Sequence, residues 1–188
     1  MRQTNLSIRS REYLTKQEIE ALLLAAKANK DRLFALRDYL AILLSFRHGL
    51  RVSELIALRW QAIDFDAARI HIQRLKNGTP GVHPLQADEL RSLKSLQKIQ
   101  NSPWVFTGKS GIPLTRDGVA KMLRRLTAIA KLEISTHPHM FRHSCGFYLA
   151  SKGYDTRLIQ EYLGHKSIQH TVTYTALSPG RFEGLWEK

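Results

Sequence analysis

Cysteine, acidic residues and long apolar runs are all scarce in this chain. A single Cys among 188 residues excludes an internal disulfide framework and a cysteine-rich zinc module. No run approaches the ~18 consecutive apolar residues that a transmembrane helix needs. The opening sequence MRQTNLSIRSRE is too polar for a secretion signal. We therefore expect a cytoplasmic protein without a membrane partner.

The shortage of acids leaves a large positive charge, because 16 Asp+Glu oppose 29 Lys+Arg and the formal net charge is +13. The hydrophobic fraction of 43% is ordinary for a globular domain and too high for a disordered basic tail. The basic residues are spread along the chain rather than gathered on one amphipathic helix. A folded body of this charge favours a polyanionic partner, and nucleic acid above all.

The hydrophobic pattern predicts an α+β fold that is mostly α-helical. Thr15 and Glu18 form a capping-box pattern before an amphipathic helix, and residues 33–46 are apolar on nearly every side, as in a buried central helix. From Asp64 to Gly81 the pattern favours two or three short strands around turns of Asn, Gly and Pro. The remaining elements are predicted as a helix at about 86–99, a loop at 103–113 and helices from 115 to about 176.

The predicted helix 115–131 has one strongly basic face. A helical projection separates an apolar side, Val119, Met122, Leu126, Ile129 and Ala130, from a basic side, Lys121, Arg124 and Arg125. A solvated surface is the ordinary explanation of a charged face. Because Asp117 is the only acid in the segment, the pattern favours a phosphate-facing surface.

Two local patterns in the first half supply candidate functional residues. Arg51 comes shortly after the apolar helix, where an unpaired guanidinium would be unfavourable. Glu54 lies three residues further on, on the same side of a helix, and can bind Arg51; a purely structural pair is the simpler interpretation. Lys76 lies in a turn between predicted strands, where most lysines are merely solvated.

The segment from Thr136 to His143 has the features of a phosphate-binding helix start. Pro138 suits the first turn of a helix, and His139 and Arg142 then share one side near the free amides. His139 and His143 are alternatively spaced as two zinc ligands on one helix. The zinc alternative lacks both the intervening Glu of a zinc hydrolase and a third ligand, so we expect no metal.

The last third of the chain offers a candidate nucleophile. His165 ends a Leu-Gly-His sequence, and Tyr174 follows nine residues later among threonines. Tyr148 and Tyr162 lie in apolar surroundings typical of a core, whereas Tyr174 is predicted to be semi-exposed. Cys145, on an apolar helix, is predicted to be a core residue rather than a nucleophile.

Together these residues suit chemistry on a phosphodiester. The chain supplies several cations and a Tyr in a polar context, but no carboxylate cluster for Mg²⁺ and no glycine-rich phosphate loop. Fixed cations can balance the charge that develops on a reacting phosphate, so we expect no cofactor.

From about Tyr13 to Leu177 the sequence resembles the tyrosine recombinase (phage integrase) family, most closely its short fimbrial phase-switch DNA invertases. The Gly-Leu-Arg-x-Ser-Glu-Leu, His-x-x-Arg-His, Leu-Gly-His and downstream Tyr motifs occur in the family's order and approximate spacing. The resemblance implies a helical bundle with a small antiparallel sheet. It also implies a site-specific recombinase that cuts and rejoins DNA through a 3′-phosphotyrosine, inverting a promoter element for fimbrial phase variation. The alternatives are an integration or excision recombinase of a mobile element and a DNA-binding regulator that does not cleave.

The resemblance also implies a role for each matched position. In the family a tyrosine attacks one DNA strand, cations hold the scissile phosphate, and a lysine protonates the leaving 5′-oxygen. These roles fall to Tyr174 as nucleophile, Arg51, Arg142 and His165 at the phosphate, Lys76 as general acid, His139 in proton transfer and Glu54 as the support of Arg51.

The predicted organisation is a basic N-terminal arm (1–12), a catalytic domain (13–177) and a C-terminal docking tail (178–188), without the separate core-binding domain that typical integrases carry. The residues expected to contact DNA outside the reaction centre are Arg2, Arg9, Arg11, Lys121, Arg124 and Arg125. The expected partners are double-stranded DNA with inverted-repeat sites, three further copies of the chain in a homotetrameric synapse, and accessory DNA-bending proteins.

Overall fold

The computed structural model describes residues 11–74 and 78–176. Within that part, helices dominate and a small sheet follows the third of them. In chain order the elements are α1 (Lys16–Lys27), α2 (Arg32–Arg47), α3 (Val52–Ile56), β1 (Ile63–Asp64), β2 (Arg69–Ile72), β3 (Gly81–Pro84), α4 (Ala87–Gln97), α5 (Arg116–Ile129), α6 (Pro138–Ser151), α7 (Thr156–Leu163) and α8 (Gln169–Ala176). None of these described helices has the length and apolar character of a membrane span.

The first two helices begin where side chains satisfy their free amides. The Thr15 hydroxyl accepts a hydrogen bond from the Glu18 amide at 3.3 Å, and the Glu18 carboxylate accepts one from the Thr15 amide at 2.7 Å. Asp31 caps α2 by accepting from the Leu33 amide at 3.0 Å. Helix α2 packs against α1, α4 and α6. The predicted capping box and the predicted buried central helix are thus confirmed.

The sheet has the strand order β1-β2-β3, and both pairs are antiparallel. Along β2, Ile70 and Ile72 are buried while Arg69 and His71 are exposed, the alternation of a strand with one covered face. The predicted small sheet of short strands is therefore confirmed, but it extends beyond the predicted segment, because β1 begins at Ile63 and β3 runs from Gly81 to Pro84.

Among the described residues, apolar side chains form two clusters. The larger contains most of α2 and draws residues from α1, the sheet, α4, α5 and the start of α6. The smaller lies among the last three helices and consists of Cys145, Ala150, Ile159, Leu163 and Tyr174. Cys145 is thus the predicted core residue, and burial raises the pKa of its thiol to about 12. The smaller cluster holds α8 against α6 and α7.

Helix α5 differs from its prediction in two details. Ile129, assigned to the apolar face, is 50% exposed, because it is the last residue of the helix and Leu126 is the last residue of α5 that is fully buried. Arg125 forms an ion pair with Asp38, a carboxylate on α2 that is 0% exposed. A buried carboxylate requires such a partner, so Arg125 is already engaged within the domain.

Candidate active site

A cleft of about 610 Å³ opens where the starts of α3 and α6 meet the segment from α7 to α8. Arg116 and Lys166 line it, and no Asp or Glu of the described ranges does, so the cleft suits an anionic ligand. It also contains five of the six side chains predicted to be catalytic, Arg51, His139, Arg142, His165 and Tyr174. The predicted positions that lie outside the described residues are Arg2, Arg9, Lys76 and the tail 178–188.

Arg51 lies at the N-cap of α3 and is tied to Glu54 in two ways. Its guanidinium donates to Glu54 Oε1 at 2.8 Å, and its backbone amide donates to Glu54 Oε2 at 2.9 Å. Burial alone would raise the pKa of Glu54, but the hydrogen bonds from Arg51 and the charge of Arg74 outweigh it and hold the pKa below its usual range. The predicted contact is present, and a charged Glu54 orients the arginine.

Arg74 is a member of this site that sequence reasoning missed. It is 6% exposed and donates to Glu54 Oε2 at 2.9 Å and to the carbonyl of Tyr162 at 2.8 Å. Its guanidinium also donates to the carbonyls of His48 and Gly49, at 3.1 and 3.3 Å. Its spacing in the sequence could have identified it. Arg74 lies two residues after Ile72 and four after Ile70, so an extended chain places all three on one face, and all three are buried. An arginine at a core position must bind acceptors inside the fold.

Arg142 is buried at the cleft, where it connects the segment before α3 with the end of α7. It is 1% exposed, and its Nη1 and Nη2 donate to the carbonyls of Gly49 at 2.6 Å and Leu163 at 2.7 Å. Burial, helped by the nearby charges of Arg51 and Arg74, lowers the pKa of Arg142 to about 10, so it remains a cation at neutral pH. Gly49 has φ 59°, and a Cβ there would collide with the Leu163 side chain, so the close approach requires glycine.

His165 is oriented by the last two helices. Its Nδ1 lies 2.9 Å from the hydroxyl of Thr171, which is 0% exposed. Burial, followed by the charges of Arg142 and Arg51, lowers the pKa of His165 to about 3, so the free ring is neutral. Gly164 ends α7 in the left-handed region at φ 66° and turns the chain toward the cleft.

Tyr174 is a correction to the sequence-based expectation. Its side chain is only 3% exposed rather than semi-exposed, because α8 packs against α6 and the ring lies 5.2 Å from that of Phe147. Gly146 provides the space, since a Cβ there would lie 2.5 Å from Cδ2 and Cε2 of Tyr174. Burial raises the pKa of its phenol. Conversely Tyr148, expected in core surroundings, is 39% exposed, because it lies on the outer side of α6.

The two histidines of α6 differ in their surroundings. His139 is exposed in the cleft, and desolvation there together with Arg142 lowers its pKa. His143 is partly buried, and its Nδ1 lies 3.0 Å from the Tyr174 hydroxyl. Their rings are 4.8 Å apart, but no set of three or more potential metal ligands occurs within residues 11–74 and 78–176.

The described residues predicted to contact DNA elsewhere are not part of the cleft lining. Arg11 donates to Glu18 at 2.6 Å, and Arg125 is paired with Asp38. Lys121 and Arg124 are exposed on α5. All three side chains of the predicted basic face are thus exposed, and Arg125 differs from the other two by its ion pair with Asp38.

The chain belongs to the phage integrase family, whose model matches residues 12–181. It is 45% identical to the type 1 fimbriae regulatory protein FimB of Escherichia coli K12 over 186 residues, which cover 96% of this chain and 92% of that protein. The corresponding protein FimE of the same strain is 42% identical, with 95% and 92% covered. The predicted membership of the phage integrase family is therefore confirmed.

Solved recombinases have the same fold. The crystal structure of XerH bound to palindromic difH substrate, a post-cleavage complex, superposes with a TM-score of 0.77 at 25% identity and covers 94% of this chain. The match extends over 53% of the XerH chain, so the present chain spans about half of that longer protein. The prediction of a mostly helical α+β catalytic domain with a small antiparallel sheet is confirmed.

Proposed function

We propose that this protein cuts and rejoins DNA at specific sites through a 3′-phosphotyrosine on Tyr174. The observation that carries the proposal is the presence of the Tyr174 hydroxyl in one cleft with the guanidinium groups of Arg51 and Arg142. A nucleophile beside fixed cations is the arrangement that phosphoryl transfer requires.

Arg51, Arg142 and His165 bind the non-bridging oxygens of the scissile phosphate. Each Nη of Arg142 uses one N–H for a backbone carbonyl, which leaves a second N–H on each nitrogen for the phosphate. A guanidinium that is held in this way needs no reorganisation when charge develops on the phosphate, so it favours the transition state.

The reaction exchanges one phosphate ester for another. Tyr174 Oη attacks the phosphorus, the bond to the 5′-oxygen breaks, and Lys76 protonates that oxygen as it leaves. His139, exposed in the cleft, assists proton transfer at the phosphate. The phosphotyrosine retains the energy of the broken ester, so the 5′-hydroxyl of a partner strand can reverse the step without ATP.

The biological reaction that we propose is inversion of a promoter element flanked by inverted repeats, carried out by four copies of the chain in a DNA synapse with accessory DNA-bending proteins. The identity to two fimbriae regulatory proteins supports this assignment. Arg2, Arg9 and Arg11 of the N-terminal arm, and Lys121 and Arg124 of α5, supply contacts with the DNA backbone, and the tail 178–188 docks on a neighbouring copy.

Covalent capture on a nicked suicide substrate tests the chemistry. Loss of the short nicked fragment prevents religation, so the wild type accumulates a protein–DNA adduct, and Tyr174→Phe forms none. Tyr154→Phe is the matched control, because Tyr154 is 49% exposed and is not part of the cleft lining. An adduct that persists in Tyr174→Phe would refute the assigned nucleophile, and binding without any wild-type adduct would favour the non-cleaving regulator.

The arrangement of sites separates inversion from excision. A plasmid with the two sites in inverted orientation should yield the inverted segment, and one with direct repeats should yield little excised circle. Equal yields from both plasmids would favour a mobile-element recombinase.

A further inference from the structure

We propose that His143 is a further catalytic residue, the group that receives the proton of the Tyr174 hydroxyl when this oxygen attacks DNA. The inference rests on the proposed function, because it concerns the same reaction centre. It adds a role for a side chain that the motif comparison left without one.

Geometry singles out His143 among the histidines of the cleft. Its Nδ1 lies 3.0 Å from Tyr174 Oη, within the range of a hydrogen bond from a phenol. In the described part of the chain, the hydrogen bond recorded for this hydroxyl is the one to His143. The His165 ring stacks 6.3 Å from the Tyr174 ring, and its Nδ1 faces Thr171 instead.

The surroundings of His143 keep its ring ready to accept a proton. Burial lowers the pKa of His143 to about 4, and the positive charges of His139, Arg142 and His137 act in the same direction. The charge of Glu12 acts in the opposite direction. From α8, the group that faces it is the phenol of Tyr174 itself. At neutral pH the ring is uncharged, so with its proton on Nε2 it presents an Nδ1 lone pair to the phenol.

The fold holds the two rings together. His143 and Gly146 lie three residues apart on α6, and the missing side chain at Gly146 lets the Tyr174 ring approach the helix. Both members of the pair are therefore positioned by the packing of α8 on α6 rather than by the DNA.

The proposed step is balanced. The O–H bond of Tyr174 breaks, its proton moves to His143 Nδ1, and the oxygen electron pair forms the new bond to phosphorus. The 5′-oxygen leaves with a proton from the general acid. In religation the attacking 5′-hydroxyl returns its proton to the general acid, and the bond between phosphorus and Tyr174 Oη breaks. The imidazolium of His143 then returns its proton to the phenolate oxygen, which restores the starting state.

The test measures single-turnover cleavage of the nicked substrate with His143→Ala and His143→Gln. We expect rates about 10²–10⁴-fold lower than that of the wild type, the usual contribution of a general base. Imidazole added to His143→Ala should restore part of the rate by entering the vacated space. His71→Ala, which changes an exposed histidine on β2, is the control for nonspecific effects of imidazole.

His143→Gln keeps an acceptor for the phenol but cannot take its proton. Its cleavage rate should therefore increase with pH, because ionisation of Tyr174 must then precede attack, whereas the wild-type rate stays flat near neutral pH. A wild-type rate and pH profile in His143→Gln would overturn the proposal, as would an unrescued His143→Ala that binds DNA and melts normally. Absence of any adduct with the wild type would instead refute the proposed function.

Discussion

Gly146→Ala tests whether the docked position of Tyr174 is the reactive one. Gly146 lies inside α6, and the new methyl group would lie 2.5 Å from Cδ2 and Cε2 of Tyr174 and 2.8 Å from its Cγ. Ordinary carbon contacts begin at about 3.5 Å, so the ring must withdraw by about 1 Å. Because Gly146 is part of the helix backbone, the tyrosine is the more movable partner.

Two opposing effects determine the stability of this variant. Alanine stabilises a helix interior by about 1 kcal/mol relative to glycine, and overpacking of a core costs about 1–3 kcal/mol. The net loss is about 0–2 kcal/mol, or at most about 8 °C in Tm for a chain of this size. The variant therefore folds, and its activity can be interpreted.

Catalysis should suffer far more than folding. A displacement of about 1 Å at a reacting atom can lower a rate by about 10²-fold, so we expect slow adduct formation on the nicked substrate with nearly normal DNA binding. Gly118→Ala in α5 is the control, because its methyl group meets the Thr115 hydroxyl of the helix cap at 3.3 Å and no cleft residue. Undiminished cleavage by a folded Gly146→Ala protein would refute the reasoning, since it would show that Tyr174 reacts from another position.

Two further predictions concern buried polar groups. Arg74→Met should lower the free energy of unfolding by about 3–5 kcal/mol, because it leaves Glu54 Oε2 and buried carbonyls without a donor. Urea denaturation measures this change. If Arg74→Met lost less free energy of unfolding than Arg74→Lys, the prediction would be contradicted. His83, 4% exposed, has its pKa lowered to about 3 by burial and by its neighbours His48 and Arg74. Below its unfolded pKa of about 6.5 only the unfolded chain gains this proton, so stability should decrease by up to about 1.4 kcal/mol per pH unit as the pH falls toward 3. His83→Gln should make the melting temperature less dependent on pH between 6.5 and 4, and an unchanged dependence would contradict this.

Local patterns predicted much of the fold because they reflect local physics. The capping box at Thr15, the apolar helix α2 and the alternation of Ile70 and Ile72 all depend on spacing within a few residues. The contact between Arg51 and Glu54 was predictable for the same reason, since the two residues are three positions apart at the start of one short helix.

What the sequence did not reveal depends on contacts between distant segments. Tyr174 has polar neighbours along the chain, yet its ring is buried, because α8 packs onto α6. Arg74 acquires its partners from Gly49 and Tyr162, which are 25 and 88 residues away. The ion pair of Arg125 with Asp38 likewise joins helices that are far apart in sequence. Such contacts require the tertiary structure.

The membership of Tyr174 in the smaller apolar cluster has a mechanical consequence. In the proposed covalent intermediate, a pull on the attached DNA end is carried through the tyrosine ring into Cys145, Ile159 and Leu163. The load is thus spread over three packed helices instead of falling on a loose loop. Torsional strain in the cut duplex is therefore expected to be released by rotation of the DNA. Otherwise the strain would have to separate α8 from α6 and α7.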